Sequence, residues 1–266
     1  MKKSLIHFLF ILSVGLLSAC QPQSETPVAM EVVEATEEPT VAPVTATLEA
    51  EPTAAPTEEI IEVLAEGVRL DPAVINDEQL LLVCGYIYEG FVLFENDMIV
   101  PALATSWTVS DDKLDYIFEL RPGVTFQDGT PFNADIVIAN FNRWFGPQDE
   151  LRTEDDTFTG WENAFGGFKG EVDADGIPKS SFDGIEKVNN LTVLLHLNQD
   201  DPELLKKLAQ PQFGFINPEL LAEEGDLYGT SQGSVVGTGS YTLSEWSNEA
   251  VKMEPWAIQM VTACGT

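Results

Sequence analysis

The sequence predicts an α+β (mixed α/β) domain that follows an N-terminal leader and a long acidic spacer. Three observations support this fold class: apolar and polar residues alternate as in half-buried strands, other stretches show helical spacing, and short turns favour antiparallel pairing. The chain has 266 residues, of which 44% are hydrophobic and 9% aromatic. A chain of this size can bury the core of one or two domains.

Residues 1–19 have the features of a secretory signal peptide. Lys2 and Lys3 supply positive charge, and Leu5 to Ala19 form an apolar stretch too short to persist as a membrane anchor. The stretch ends in LLSAC, which resembles the lipobox of bacterial lipoproteins and implies that Cys20 carries the lipids. We therefore expect an extracytoplasmic protein, lipid-anchored to the cell membrane, in a periplasmic space or at the cell surface.

Residues 20–59 are predicted to form a disordered tether rich in Pro, Thr and Glu. The segment from Gln21 to Glu59 has no aromatic residue and cannot bury enough apolar surface to offset its ordering entropy. As a flexible coil it would hold its ends about 35 Å apart. The formal net charge of the chain is -31, and no Lys or Arg occurs between Gln21 and Glu66. Such an acidic protein repels phosphate backbones, so no nucleic-acid partner is expected.

The folded part is predicted to span residues 60–266 and to begin with a strand and a helix. The stretch IIEVLAEGVRLDP predicts a strand that ends at Gly67 and the Asp71–Pro72 turn. The stretch NDEQLLLVCGYIYEGF predicts a helix capped by Asn76 or Asp77. A short strand is then predicted in FVLFEND, followed by a connection in MIVPALATSW.

The most regular part of the sequence is a hairpin followed by a helix. Ser110–Lys113 predict the hairpin turn, and KLDYIFEL alternates apolar and polar residues as a half-buried strand does. Asp128–Gly129 predict a second turn, after which Asn133 is expected to cap a helix. The negative charge of Asp135 is favourable at the positive N-terminal end of that helix. Residues at helical spacing then predict a face packed on the sheet: Ile136, Val137, Asn140, Phe141, Trp144 and Phe145.

The remaining elements are shorter. Residues 146–183 form a Gly- and Asp-rich excursion, and GIEKVNNLTVLLHLN predicts a second hairpin that turns at Asn189–Asn190. DPELLKKLAQP predicts a short helix, and QFGFINPELLAEEG predicts a strand leading into a helix with Pro218 near its start. GTGSYTLSEW predicts a Gly-rich turn and a strand.

The sequence contains no recognisable catalytic or metal-binding motif. Cys84 lies in an apolar stretch that favours a buried free thiol, although a disulfide with Cys264 stays open. No CxxC motif or Cys/His cluster occurs, so no metal and no cofactor are predicted. GTSQG at residues 229–233 matches the pattern of a nucleophile elbow, but no His follows Ser231 and a loop is predicted instead. The protein is not expected to be an enzyme.

Several stretches together resemble the peptide/nickel-type extracellular solute-binding proteins of ABC transporters. They are LDP, YEGF, PALATSWTVSDDKLDYIFELRPGVTFQDGTPFNADIV, LTVLLHL and GTGSYTLSEW. The resemblance implies a periplasmic-binding-protein-like lobe with an extra N-terminal subdomain, ligand held between two lobes, and delivery to ABC permease subunits. It implies an importer component that captures oligopeptides or dipeptides, with a nickel chelate or a short saccharide as alternative ligands.

The sequence departs from this family at two places. Ser240 stands where the family usually has Pro, and residues 255–266 do not resemble its usual continuation. Because the chain stops at Thr266, where the second lobe would begin, we expect that lobe to be missing through truncation or a frame change near Pro255. We therefore expect little or no affinity for peptide from this polypeptide alone.

The resemblance also suggests which residues line the ligand site. Each has a structural alternative, because aromatics often serve the core, Glu89 can brace a turn and Arg69 can pair with a carboxylate. Two other functions stay open: a membrane-tethered hydrolase that uses paired carboxylates, and a scaffold module without a transport role. The candidate ligand contacts are Arg69, Leu70, Asp71, Tyr88, Glu89 and Trp107.

Overall fold

A computed structural model describes residues 59–61, 68–153, 155–246 and 251–256. The predicted signal peptide, nearly all of the predicted tether, Cys20 and Cys264 lie outside these residues, so the domain boundaries remain predictions. The helices are α1 (Glu78–Ile87), α2 (Ala134–Phe145), α3 (Thr159–Phe165), α4 (Leu204–Leu208) and α5 (Pro218–Glu224). The strands are β1 (Glu59–Ile61), β2 (Val92–Glu95), β3 (Met98–Pro101), β4 (Ala104–Val109), β5 (Asp115–Leu120), β6 (Phe182–Asn189), β7 (Thr192–Leu197), β8 (Tyr241–Trp246) and β9 (Val251–Pro255).

The described strands form three antiparallel groups. The largest is a four-stranded sheet in the order β4-β5-β7-β6, which contains both predicted hairpins. Strands β2 and β3 form a separate hairpin, and β1, β9 and β8 form a three-stranded sheet in that order. The mixture of helices with antiparallel strands agrees with the predicted fold class.

The predicted hairpin-and-helix unit is confirmed. In β5, Tyr116, Phe118 and Leu120 are buried, while the residues between them are exposed. The Asn133 side chain accepts hydrogen bonds from the backbone N–H groups of Asp135 (2.8 Å) and Ile136 (3.3 Å), as an N-cap does. Helix α2 therefore starts where the sequence predicts and lays its apolar face on the sheet.

Two apolar clusters make up the core. The first lies around the four-stranded sheet and α2 and is rich in aromatic rings, among them Phe91, Phe118, Phe141 and Trp144. The second lies around α1 and the three-stranded sheet, where Val83 and Ile87 pack with Val251 and Met253. The apolar and aromatic residues of the predicted site are divided between these two clusters and therefore lie in different surroundings.

Helix α1 agrees with its prediction, with Asp77 as the cap. The Asp77 carboxylate accepts from the N–H groups of Gln79 (2.9 Å) and Leu80 (3.1 Å). Cys84 is a free thiol on the buried side of this helix, as predicted. Burial raises its pKa, and the negative charge of Asp71 raises it further. In the part of the chain that is described, no helix has the length and apolar content needed to span a membrane.

Three predicted elements need correction. MIVPALATSW was predicted as a connection but forms β3 and most of β4, because Asn96 and Asp97 adopt positive φ angles (50° and 62°) and close a tight hairpin. QFGFIN was predicted as a strand, but Pro211–Phe213 form a 3₁₀ turn, and the extended residues after it bond to Glu89 and Asn140 instead of a neighbouring strand. The first strand is described only at residues 59–61, and residues 68–71 are not strand.

Candidate functional site

Two arginines and two aspartates meet inside the protein at the end of the LDP motif. Asp71 is fully buried, and Arg143 of α2 donates to both of its carboxylate oxygens, at 3.1 and 2.5 Å. Arg69 donates to Asp156 at 2.8 Å and lies 3.4 Å from Asp71. Arg143 also lies 3.4 Å from Asp156. Positive and negative charges balance, which a buried ionic group requires.

The arginine of α2 is held firmly in this group. Burial alone would lower the pKa of Arg143, but the charge of Asp71 and its hydrogen bond, together with Asp156, outweigh it and raise that pKa. Its Nε donates to the Leu151 carbonyl at 3.0 Å. The guanidinium therefore stays charged and joins α2, the LDP turn and the segment at residues 151–156.

Two tyrosines extend the group toward the second cluster. The Tyr88 hydroxyl donates to the Leu70 carbonyl at 2.9 Å and lies 3.4 Å from the Tyr228 hydroxyl. Burial raises the pKa of Tyr88, and neighbouring Tyr228 and Cys84 raise it further. Burial also raises the pKa of Tyr228 well above its ordinary value. Both phenols therefore stay neutral and act as hydrogen-bonding groups.

Arg152 supports the same region from the end of α2. Its guanidinium donates to the carbonyls of Arg143 and Trp144, both at 2.6 Å, and so satisfies the last turn of the helix. It stacks over the Phe158 ring at 3.9 Å from the ring centroid. Burial, followed by repulsion from Arg143, lowers the pKa of Arg152 to about 10.

Four of the six candidate ligand contacts gather here, and two do not. Arg69, Leu70, Asp71 and Tyr88 belong to the buried group, and only Arg69 keeps appreciable exposed surface. The Glu89 carboxylate instead accepts from Arg121 at 3.0 and 3.1 Å. Trp107 pairs with Phe118 across β4 and β5 and packs against the first cluster. That these six residues contact ligand stays a prediction.

Sequence reasoning missed Arg143, Asp156 and Tyr228. For Arg143 a signal was available, because it follows Asn140 by three residues on the face of α2 predicted to be buried. A polar side chain at a buried helical position needs a partner inside the protein. No comparable signal marks Asp156 or Tyr228, which lie in irregular segments.

A second set of polar contacts joins the two clusters. The Gln127 side chain donates to the Tyr241 carbonyl at 2.7 Å, and its backbone N–H donates to the Gly237 carbonyl at 3.0 Å. Gly237 must be glycine, since a Cβ there would lie 1.9 Å from the Ile87 carbonyl oxygen. The segment that leads into β8 is therefore held between α1 and the Asp128–Gly129 turn.

The described residues contain no group of three or more His, Cys, Asp or Glu side chains placed to hold a metal ion. His196 pairs with Asp115 across the sheet, with 2.6 Å between Nδ1 and Oδ1. The segment at residues 229–233 is a turn rather than a strand followed by a helix, as predicted.

Comparison with known proteins identifies the family. The profile of bacterial extracellular solute-binding proteins, family 5 Middle, matches residues 98–255. The chain belongs to this family of extracellular solute-binding proteins. The resemblance inferred from the motifs is therefore confirmed, and the matched region contains α2 and the Gln127 contacts.

Curated relatives are longer than this chain. The glutathione-binding protein GsiB of Pectobacterium atrosepticum is 31% identical over 218 residues, which cover 81% of this chain and 38% of that protein. GsiB of Escherichia coli K12 is 31% identical over 200 residues, which cover 74% of this chain and 34% of that protein. The chain thus spans just over a third of the length of these relatives.

Solved structures confirm the fold. The periplasmic binding protein DppA from Helicobacter pylori, in complex with the peptide STSA, is 25% identical with a TM-score of 0.57 and covers 69% of this chain and 36% of its own. The dipeptide-binding protein from Pseudoalteromonas sp. SM9913, in complex with Met-Leu, has a TM-score of 0.59 at 23% identity and covers 73% of this chain and 38% of its own. The predicted periplasmic-binding-protein-like α+β fold is therefore confirmed.

Proposed function

We propose that this protein is the extracytoplasmic substrate-binding component of an ABC importer. The observation that carries the proposal is the family match across residues 98–255, supported by the fold shared with a peptide-bound relative at 25% identity. The buried Arg–Asp group suits this role, because a binding protein needs a rigid wall against which ligand can be held.

Short peptides are the ligand class that we propose for the intact binding protein, since this chain spans just over a third of the length of its relatives. The curated relatives are glutathione-binding proteins, and the DppA structure from Helicobacter pylori contains a tetrapeptide. Glutathione is itself a tripeptide, so both findings favour a site for short peptides with charged ends. Outside the predicted tether the chain is still acidic. This negative charge would favour the ammonium end of such a peptide over its carboxylate.

We propose different roles for the six candidate contacts. Leu70, Asp71 and Tyr88 are buried, so they support the proposed ligand-binding surface from the protein interior. Arg69 and Glu89 retain exposed surface and can reach a ligand while staying in their ion pairs. Trp107 stabilises the four-stranded sheet.

An uptake experiment tests the proposed function. Deleting the gene in its native organism should lower uptake of radiolabelled glutathione or Met-Leu when the peptide is the required source of an amino acid. Reintroducing the intact gene should restore uptake. Unchanged uptake of both peptides after deletion would contradict the proposal.

Anchoring and permease docking complete the proposal. We propose that lipids on Cys20 hold the protein at the membrane and that the acidic tether lets it reach ABC permease subunits. Reintroduction of a gene encoding Cys20→Ser should release the protein from the membrane and restore uptake less well than the intact gene. We propose no catalytic activity, in keeping with a family of solute-binding proteins.

A further inference from the structure

A small cavity of about 360 Å³ opens at the C-terminal end of α2. It is lined by residues between 142 and 149 and by Lys169, all of which belong to the described part of the chain. The backbone N–H of Lys169 donates to the Phe145 carbonyl at 3.0 Å, which fixes this second stretch against the end of the helix. Such a volume lies near the lower end of the range for small-molecule sites, so it suits a ligand of amino-acid size.

Lys169 brings an unpaired positive charge to this cavity. The chain contains 44 Asp and Glu residues against 13 Lys and Arg, so carboxylates are plentiful. Six of the seven described lysines have a carboxylate oxygen at 3.9 Å or less: Lys113, Lys179, Lys187, Lys206, Lys207 and Lys252. Among the described lysines, only Lys169 has no such partner. Its ammonium group can therefore bind an anionic group of a ligand.

The cavity also contains one carboxylate and two amide groups. Asp149 accepts from the Leu151 N–H at 3.0 Å through one oxygen, and its other oxygen has no hydrogen-bond partner among the residues described. The side chains of Asn142 and Gln148 likewise have none there. Although Lys169 and Asp149 line the same cavity, they form no ion pair with each other. Both charges are therefore available to a ligand.

The end of α2 does not cancel the attraction of Lys169 for an anion. The C-terminal end of a helix normally disfavours negative charge, because its last carbonyl groups have no partner within the helix. Here the Arg152 guanidinium donates to the carbonyls of Arg143 and Trp144, both at 2.6 Å. The Phe145 carbonyl accepts from the backbone of Lys169. A positive charge and satisfied carbonyls thus replace the usual negative end.

We propose that this cavity binds a free α-amino acid in its zwitterionic form. Lys169 would bind the carboxylate, and the amides of Asn142 and Gln148 would donate to the same group. Asp149 would accept from the ammonium group, while Phe145 would contact an apolar side chain. The charges select this class of ligand, because Asp149 and the strongly acidic chain repel a simple anion, whereas a zwitterion has no net charge.

NMR titration of the ¹⁵N-labelled full chain with L-leucine tests the proposal, with Cys20→Ser to prevent lipid attachment. We expect saturable shifts of the backbone N–H signals of Asp149 and Lys169, with a dissociation constant of about 1 mM or below. N-acetyl-L-leucine lacks the ammonium group and L-leucinamide lacks the carboxylate, so each should bind about fivefold more weakly or worse.

The ligand series also gives the opposing result. An absence of saturable shifts up to about 20 mM L-leucine would overturn the proposal. Binding of N-acetyl-L-leucine as tight as that of L-leucine would reveal a simple anion site and would overturn it too. Equal binding of L-leucinamide would do the same, because the carboxylate would then have no role.

Two substitutions locate the site. Lys169→Met and Asp149→Asn each remove one charge from the cavity and should weaken L-leucine binding about fivefold. An amide oxygen at position 149 can still accept from the Leu151 N–H, so the local turn is retained. Lys113→Met is the matched control, because it removes the same charge from the turn between β4 and β5 and should leave binding unchanged. Circular dichroism establishes that each variant is folded.

Binding that survives either cavity substitution, or that Lys113→Met weakens equally, would place the amino acid elsewhere and overturn the inference. Because the inference concerns free amino acids at the end of α2, its failure would leave the proposed importer function standing. The uptake experiment with peptides would decide that function separately.

Discussion

Asp71 follows the first predicted strand in the sequence, but its partners come from distant parts of the chain. Arg143 lies 72 residues away and supplies two hydrogen bonds, while Arg69 is only two residues away and lies farther from the carboxylate. A turn residue at the surface and a buried carboxylate of an ion-pair group have the same local sequence. Only the position of α2 over the LDP turn decides between them.

Replacing Arg143 by Met should strongly destabilise the protein. Asp71 would lose its main partner in a buried site, which costs about 3–5 kcal/mol of unfolding free energy. Urea denaturation measures the change. Lys113→Met removes a solvent-exposed pair with Asp200 and serves as the control, with an expected loss below about 1 kcal/mol. Equal losses in the two variants would contradict the assigned role of Arg143.

At the scale of elements, local chemistry predicted boundaries well and pairing less well. Asn133 and Asp77 cap their helices as expected, because a cap depends on residues within one turn. β3 was missed, because a strand that ends at Pro101 resembles a connection until its hairpin partner is known. QFGFIN resembles a strand in composition but makes its hydrogen bonds to Glu89 and Asn140.

Substituting Asn133 by Ala should lower the unfolding free energy by about 1 kcal/mol, because two N–H groups at the start of α2 lose their acceptor. Asn133→Asp should retain most of the stability, since the carboxylate accepts the same bonds and favours the positive end of the helix. Asn142→Ala on the exposed side of α2 is the control. If Asn133→Ala matches this control, the cap contributes nothing measurable.

At the scale of the whole molecule, polar contacts join two separate apolar clusters. Asn140 of α2 exchanges two hydrogen bonds with the backbone of Ile216, at 3.0 and 3.1 Å, and Ile216 belongs to the second cluster. Gln127 makes the second connection, and the Arg143–Asp71 pair the third. Because buried polar partners are costly to separate, these contacts fix one relative placement of the clusters.

Global stability should fall as pH rises above about 9. The pKa values of Cys84, Tyr88 and Tyr228 are raised above their ordinary values of 9.0 and 10.0, so the unfolded chain releases protons that the folded chain keeps. The contribution of these three groups to the unfolding free energy is fully present below their unfolded pKa values. It is lost as pH rises above those values, at up to about 1.4 kcal/mol per pH unit for each group. Arg152, with its pKa lowered to about 10, acts in the opposite direction, but it is one group against these three and Tyr116, whose pKa burial also raises.

Urea denaturation between about pH 8 and about pH 10.5 measures this decline. Tyr228→Phe keeps the ring and removes one ionising group, so the decline should become shallower, while Tyr88 keeps its bond to Leu70. Absorbance titration at the tyrosinate band should show late ionisation of the buried phenols. Stability that is constant over this pH range would refute the prediction.

The sequence by itself determined the family, the α+β class, the hairpin-and-helix unit and the helix caps. These follow from periodicity, turn chemistry and capping, which act over a few residues, and from motifs that the family shares. Tertiary structure alone decided that Asp71 is buried between arginines and that MIVP pairs as a strand. Each of these depends on which distant segments meet. The residues next to a side chain in the sequence do not show which distant residues that side chain will contact.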